Sequence, residues 1–309
     1  MNFADVEKAR EQYRDKIKTL SLSAIVLVLL LLVVLLSLFD NRASLIIVLP
    51  TFFIFSVFSL VIISLIVMVG TRKEFANYRK LYKAYFVEQN LMSIFDDIKY
   101  SHDAELDKQL LCNTQMINVG DRYSSNDLTI GKYKDVTFRQ ADVHIEEEYT
   151  DSDGDTSYVT IFRGRFMIFE FPKKFNFRLE VISKHFSIGK IPSSDSETGR
   201  KFEKFEVESV DFNKMFNIYA EDGFETFYLL DPAFIASIEN LGIKYDKKMI
   251  MCFINNRLYV GINEGKDAFE PPRPFKPIDE KIELEKVSKD IRIITDFVDE
   301  LSLDKKIFV

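Results

Sequence analysis

The stretch "VTFRQADVHIEEEYTDSDGDTSYVTIFRGRFMIFEF", residues 136–171, decides the fold of the main domain. Val136 and Phe138 alternate with polar residues, the alternation slips near Gln140-Ala141, and it resumes at Val143 and Ile145. From Tyr158 to Phe171 the residues are mostly β-branched or aromatic. Strand side chains point to alternate faces, so a period of two predicts strands. Two such runs separated by a polar turn predict an antiparallel hairpin.

The turn itself, with Asp151, Asp153 and Asp155 around Gly154, resembles a calcium loop at first sight. An EF-hand loop needs Gly at its sixth position and a bidentate Glu at its twelfth. Counting from Asp151, those positions hold Thr156 and Phe162, and the flanks are strands. The EF-hand reading fails. A different cation site built from Asp151, Asp153 and Asp155 remains a candidate, set against ordinary hairpin-tip chemistry. The second candidate is Asp142, His144 and Glu146, which alternate along one strand face. Such a set suits a metal or general acid–base chemistry. It is also the pattern of a half-solvated strand with Val143 and Ile145 buried beneath, and that reading is preferred. Arg163 and Arg165 share a strand face, which suits an anion contact, and the preferred reading is exposed cations pairing with nearby acids.

Further strands are expected at Phe177–Ser183 and in the runs "KFEVESVDF", "FNIYAED" and "ETFYLL". Pro192–Lys201 reads as an exposed loop. Asp231-Pro232 is an N-cap followed by a first-turn proline, opening a helix that Gly242 is expected to end. Asn255-Asn256, between two apolar runs, is a hairpin-turn candidate. Phe269–Pro277, "FEPPRPFKP", reads as a rigid extended connector. Ile282, Val287, Ile291, Ile294, Val298 and Leu301 mark an amphipathic terminal helix. At the other end, Phe75, Tyr78, Tyr82, Tyr85 and Phe86 recur at helical spacing. Packing against the following domain is preferred for them over a place in the membrane interface.

The first seventy residues have a different character. Thr19–Phe39 and Ala43–Gly70 are runs of 21 and 28 residues without a charge. About 20 apolar residues cross a bilayer. The short link Asp40–Arg42 makes the two runs an antiparallel hairpin. The first run is too long for a typical leader core and lacks a cleavage site, so it is read as retained. Lys8, Arg10, Arg14, Lys16 and Lys18 precede it, and Arg72, Lys73, Arg79, Lys80 and Lys83 follow the second, against Arg42 alone in the link. This asymmetry places both termini in the cytoplasm. The expected class is a membrane-anchored α+β protein with flanking amphipathic helices. Its segments are 1–18, the hairpin 19–70 (spans about 19–39 and 43–70), a juxtamembrane helix 71–100, a mainly antiparallel β-rich domain 101–277 and a terminal helix 278–309.

Residues 101–309 carry 29 basic and 39 acidic side chains, which argues against a nucleic-acid partner. The bilayer is the expected partner, with a protein as a second. Cys112 and Cys252 suggest neither a disulfide framework nor a zinc site, and fit a reducing cytosol. No Walker A, GxGxxG, GxSxG or HExxH pattern occurs, and no cofactor is expected.

Several stretches resemble a bacterial family catalogued as domain of unknown function 3137. They are "GKYKDVTFRQADVHIE", "TIFRGRFMIFEFPKKF", "DFNKMFNIYAEDGFETFYLLDPAFIASI", "MIMCFINNRLYVGI" and "AFEP". The resemblance covers nearly the whole chain except the terminal helix. It implies two spans ahead of a β-rich region at a bacterial plasma membrane, and carries no activity or site residue. The expected function is a membrane-tethered, non-enzymatic module that binds a protein or senses a ligand. The alternative is an enzyme acting on lipid or envelope intermediates, and a third reading is a complex subunit recognised through its spans.

Overall fold

The computed structural model describes residues 2–38, 45–95, 97–186, 202–221, 223–246 and 248–304. The link Asp40–Arg42 and the expected loop Pro192–Lys201 lie outside the described residues. The chain folds as two compact units, one of Met1–Val87 with Glu270–Glu283, the other of Glu88–Phe269 with Leu284–Val309.

In the first unit, α1 (Phe3–Leu38) and α2 (Leu45–Gly70) run antiparallel, and Gly70 at the end of α2 lies against Leu20 of α1. A side chain at Gly70 would meet the Leu20 methyl at 2.6 Å, so the leucine would have to change rotamer to admit one. Two helices here are long and apolar enough to cross a membrane. Only 6% of each apolar window is buried, and Phe53 and Leu60 are 70% and 68% exposed. Beyond Thr71, α3 (Arg72–Tyr82) passes into a π-helical turn, Lys83–Glu88.

The aromatic stripe does pack, but within this unit. Tyr78, Tyr82 and Phe86 are buried. Phe3 meets the rings of Tyr85 and Phe86, each at 6.1 Å, and Tyr13 meets Phe75 at 5.3 Å. Residues 270–283 lie along the same helices as a strap. The Tyr78 hydroxyl donates to the Pro272 carbonyl at 3.1 Å, and the Tyr82 hydroxyl to Glu283. The Ile278 N–H donates to Glu7 at 2.9 Å, and the buried Arg10 guanidinium donates to the Pro274 carbonyl. Prolines leave carbonyls unpaired in an extended segment, and here tyrosine and arginine donors take them up.

The second unit is built on α4 (Gln89–Ile94), α5 (Lys108–Cys112), and a seven-stranded antiparallel sheet among the described residues. Its strands are β1 (Asp97–Ser101), β2 (Arg122–Tyr133), β3 (Val136–Thr150), β4 (Thr156–Ser183), β5 (Glu203–Phe205), β6 (Phe216–Ala220) and β7 (Met249–Ile262). The order is β1-β2-β3-β4-β6-β5, and β7 pairs with the other edge of the long β4. The domain is therefore α+β.

A bulge stands opposite the slip at Gln140-Ala141. Asn126 pairs with Asp142 and Thr129 with Gln140, so two residues of β2 oppose Ala141. Asp127 in that bulge takes φ 58°. The extra residue lies in β2, whereas β3 keeps its register with β4 from Thr137 to Ile145. The apparent slip therefore marks a strand buried on both faces: Val136, Phe138, Gln140 and Asp142 on one, Ala141, Val143 and Ile145 in the core on the other. That core includes Leu111, Ile117, Phe162, Phe166 and Tyr259.

The opposite face is covered by α6 (Val210–Met215), α7 (Gly223–Leu229), α8 (Pro232–Lys244), α9 (Glu280–Ile291) and α10 (Ile293–Glu300) only in part. There, Phe169 of β4 stacks on Phe297 of α10 at 6.0 Å, and Phe234 of α8 meets Phe253 at 5.7 Å.

Local expectations fare unevenly. Asp231 caps α8, accepting the Phe234 N–H at 2.8 Å, with Pro232 at the first position. Gly242 does not end α8, which continues to Lys244. A side chain there would stand 2.5 Å from the Phe216 ring, so this glycine serves packing. "ETFYLL" is part of α7 rather than a strand. Asn255-Asn256 is not a hairpin turn: Asn255 takes φ 56°, but β7 continues through it, paired with β4 on either side.

Candidate functional site

The acidic segment 151–155 is the hairpin tip. Thr150 pairs with Thr156, and the Asp151 carboxylate accepts the N–H groups of Asp153 and Asp155 at 3.0 and 2.9 Å. Gly154 supplies the left-handed residue at φ 87°. Asp151 is thus occupied in holding its own turn, and Asp153 and Asp155 are exposed.

The three residues on β3 separate. His144 lies 3.1 Å from the Thr160 hydroxyl and 3.8 Å from Glu146, near the solvent. Asp142 is 3% exposed, contrary to the half-solvated strand expected from the pattern. The reason is that segment 267–269 covers this part of the sheet, and the Ala268 N–H donates to Asp142 Oδ2 at 2.7 Å. Asp142 Oδ1 is buried and has no partner. Burial raises the Asp142 carboxyl to about 8, with the neighbouring Asp127 adding to the shift. Among the described residues, no group of three or more His, Cys, Asp or Glu is arranged to hold a metal ion.

Directly across from Asp142 on β4 stands Arg165. Arg163 pairs with Asp267 at 3.1 Å near the surface, as an exposed cation should. Arg165 does not: it is 3% exposed. Its guanidinium reaches Asp290 at 3.1 Å and Glu264 at 3.3 Å, and it also donates to the Asp290 carbonyl. Burial works against this charge, and the two carboxylates outweigh that effect, so the guanidinium is held charged above its usual range.

This arginine forms the floor of a cavity of about 630 Å³. The end of α8, the end of β7 and the junction of α9 with α10 make the walls. Four carboxylates line it, and each already has a cation. Glu264 and Asp290 hold Arg165, Asp296 accepts from Lys244 at 2.7 Å, and Asp246 accepts from Lys248 at 3.3 Å. Asp296 also accepts the Tyr245 hydroxyl. Burial and that bond hold the Tyr245 proton on well above the usual phenol range. Three further cations, Lys266, Lys289 and Arg292, also line the cavity. No local pattern marks this place, because its parts come from segments tens of residues apart.

The cysteines take no part. Cys252 is fully buried, and burial pushes its thiol up to about 12; Cys112 is a second free thiol, partly exposed.

Residues 160–303 match the family described as "Protein of unknown function (DUF3137)". The match starts within β4 and takes in the terminal helix, so it is shorter at its N-terminal side and longer at its C-terminal side than the resemblance suggested. No curated protein matches the chain. Among solved structures, the crystal structure of the mycobacterial trehalose monomycolate transport factor A, TtfA, is similar at 10% identity and a TM-score of 0.38. It covers 72% of this chain and 95% of that one, and at this level it carries no argument about function.

Proposed function

We propose that the chain is a membrane-tethered binding module, anchored by the hairpin 19–70 with both termini in the cytoplasm, whose β-rich domain binds a ligand or partner at the inner face of a bacterial plasma membrane. The observation that carries the anchoring is the apolar surface of α1 and α2. Their apolar windows are 6% buried within the protein, and a helix apolar on all sides needs a nonpolar surrounding. The clusters of Lys and Arg at both outer ends support the orientation.

Binding is preferred over catalysis because the cavity lining contains no His, Ser or Cys, and its one tyrosine holds its proton tightly. His144, the residue best suited to general base chemistry, does not line it.

The test is membrane fractionation followed by cysteine labelling, in a background with Cys112 and Cys252 changed to Ser. Asn41→Cys should react with a membrane-impermeant maleimide in intact cells, and Asp153→Cys only after lysis. Release of the protein by alkaline carbonate, or the reverse labelling pattern, refutes the reading.

A further inference from the structure

The geometry points to an anion site in the Arg165 cavity, one that takes a phosphate-bearing group on Lys266, Lys289 and Arg292. This inference rests on the reading of the β-rich domain as a binding module and names the ligand class of its cavity.

The domain is acidic overall, yet the Arg165 cavity gathers six cations against four carboxylates, and Lys266, Lys289 and Arg292 stand exposed at its opening to solvent. Each carboxylate has a cationic partner, Arg165 being shared by Glu264 and Asp290 while Asp296 has Lys244 and Asp246 has Lys248, and the lining as a whole carries two more positive than negative charges. The surplus is therefore cationic and localised. Lys266 sits on the loop after β7, whereas Lys289 and Arg292 stand three residues apart at the α9–α10 junction. Residues at that spacing on a helix are neighbours, and like charges there repel unless an anion lies between them. No ion pair joins any of the three to a carboxylate among the described residues. Arg292 offers a planar fork that fits two phosphate oxygens, and the lysines offer rotatable point charges.

The floor adds specificity. Arg165 is fixed by Glu264 and Asp290, so its charge stays beneath the cavity without its donors being available to the ligand. A monoanion gains from the three outer cations only in part, whereas a phosphomonoester or pyrophosphate, with about two charges or more near neutral pH, engages them together. A cavity of about 630 Å³ accommodates a phosphorylated small molecule or a lipid headgroup, but not a nucleic-acid duplex.

The experiment uses the full chain in detergent and in nanodiscs. Isothermal titration with inorganic pyrophosphate in detergent tests a soluble source. Thermal midpoints in phosphatidylcholine nanodiscs with and without phosphatidic acid test a headgroup source. Saturable binding in either arm is expected, weakened about tenfold or more by Lys289→Glu with Arg292→Glu, and separately by Lys266→Glu. The neutral pair Lys289→Gln with Arg292→Gln removes the like-charge repulsion, so without ligand it should melt no lower than the wild type while weakening binding in the same direction. Absence of binding in both arms, or binding that the reversals leave unchanged, overturns the site. Fractionation and labelling of the same variants report on anchoring alone, so failure of the site and failure of the tether are told apart.

Discussion

The ring of Phe169 on β4 stacks on that of Phe297 on α10, with centroids 6.0 Å apart and planes 22° from parallel. Tyr245 also stacks on Phe297, at 5.8 Å and 17°. The three rings fasten the terminal helix and the end of α8 to the sheet, and so fix two walls of the cavity. Phe297→Ala removes a fully buried ring that stacks with two others. It should cost about 3–5 kcal/mol. A lowered thermal midpoint of the detergent-solubilised chain checks this, and an unchanged midpoint would show that the stack does not hold α10.

Gly164 lies between the two arginines of β4, where a side chain would stand 2.1 Å from the Ile262 carbonyl oxygen. That oxygen is backbone and cannot swing aside. Gly164→Ala should therefore push β7 from β4 at the mouth of the cavity and cost about 1–3 kcal/mol or more. Hydrogen exchange should rise at Ile262 and Asn263 in the variant; protection equal to the wild type contradicts the close approach.

Asp142 makes the stability depend on pH. Its carboxyl is raised from 3.8 to about 8, first by burial and then by Asp127, while the Ala268 N–H and Arg165 act the other way; Asp267 adds a weaker upward push. Below about pH 4 both folded and unfolded forms hold the proton, and the group contributes nothing. Between there and about pH 8 the unfolded chain loses the proton and the folded one keeps it. Stability falls across that window by up to about 1.4 kcal/mol per pH unit, and the slope ends once both forms are ionised. Asp142→Asn keeps an acceptor for the Ala268 N–H and has no proton to lose. Its thermal midpoint should gain on that of the wild type steadily from pH 5 to pH 8. A constant difference across the range would show that Asp142 is already ionised.

How much of this was legible in the sequence depends on the range of the interaction. The hairpin and the Asp231 cap are local events, written in alternation and in one N-cap residue. The two apolar helices are equally plain, since about twenty uncharged residues in a row leave few alternatives. The faces of the strands were harder. Alternation says that Asp142 and Arg165 share a face, but not that segment 267–269 and α9 cover that face. The same limit applies to Gly242, which looks like a helix terminator until Phe216 is seen against it, and to Asn255, whose left-handed φ bends a strand without ending it. The cavity is the extreme case. Residues 244–248, 262–266 and 289–296 are separate polar patches in the chain, and only the pairing of β7 with β4 and the docking of α10 bring them together.

The last prediction concerns the buried Arg165. Its guanidinium neutralises two carboxylates, Glu264 and Asp290, that are themselves largely withdrawn from water. Arg165→Met keeps the volume of the stem and leaves both acids without their cation. Removing one partner of a buried ion pair typically costs about 3–5 kcal/mol, because the remaining charge stays desolvated. Arg165→Lys tests the geometry separately: one ammonium cannot serve both carboxylates and the Asp290 carbonyl, so it should recover only part of the stability. If Arg165→Met is as stable as the wild type at pH 7, the floor of the cavity is not held together by this network. Full rescue by lysine would instead show that charge alone, and not the planar fork, is what the site requires.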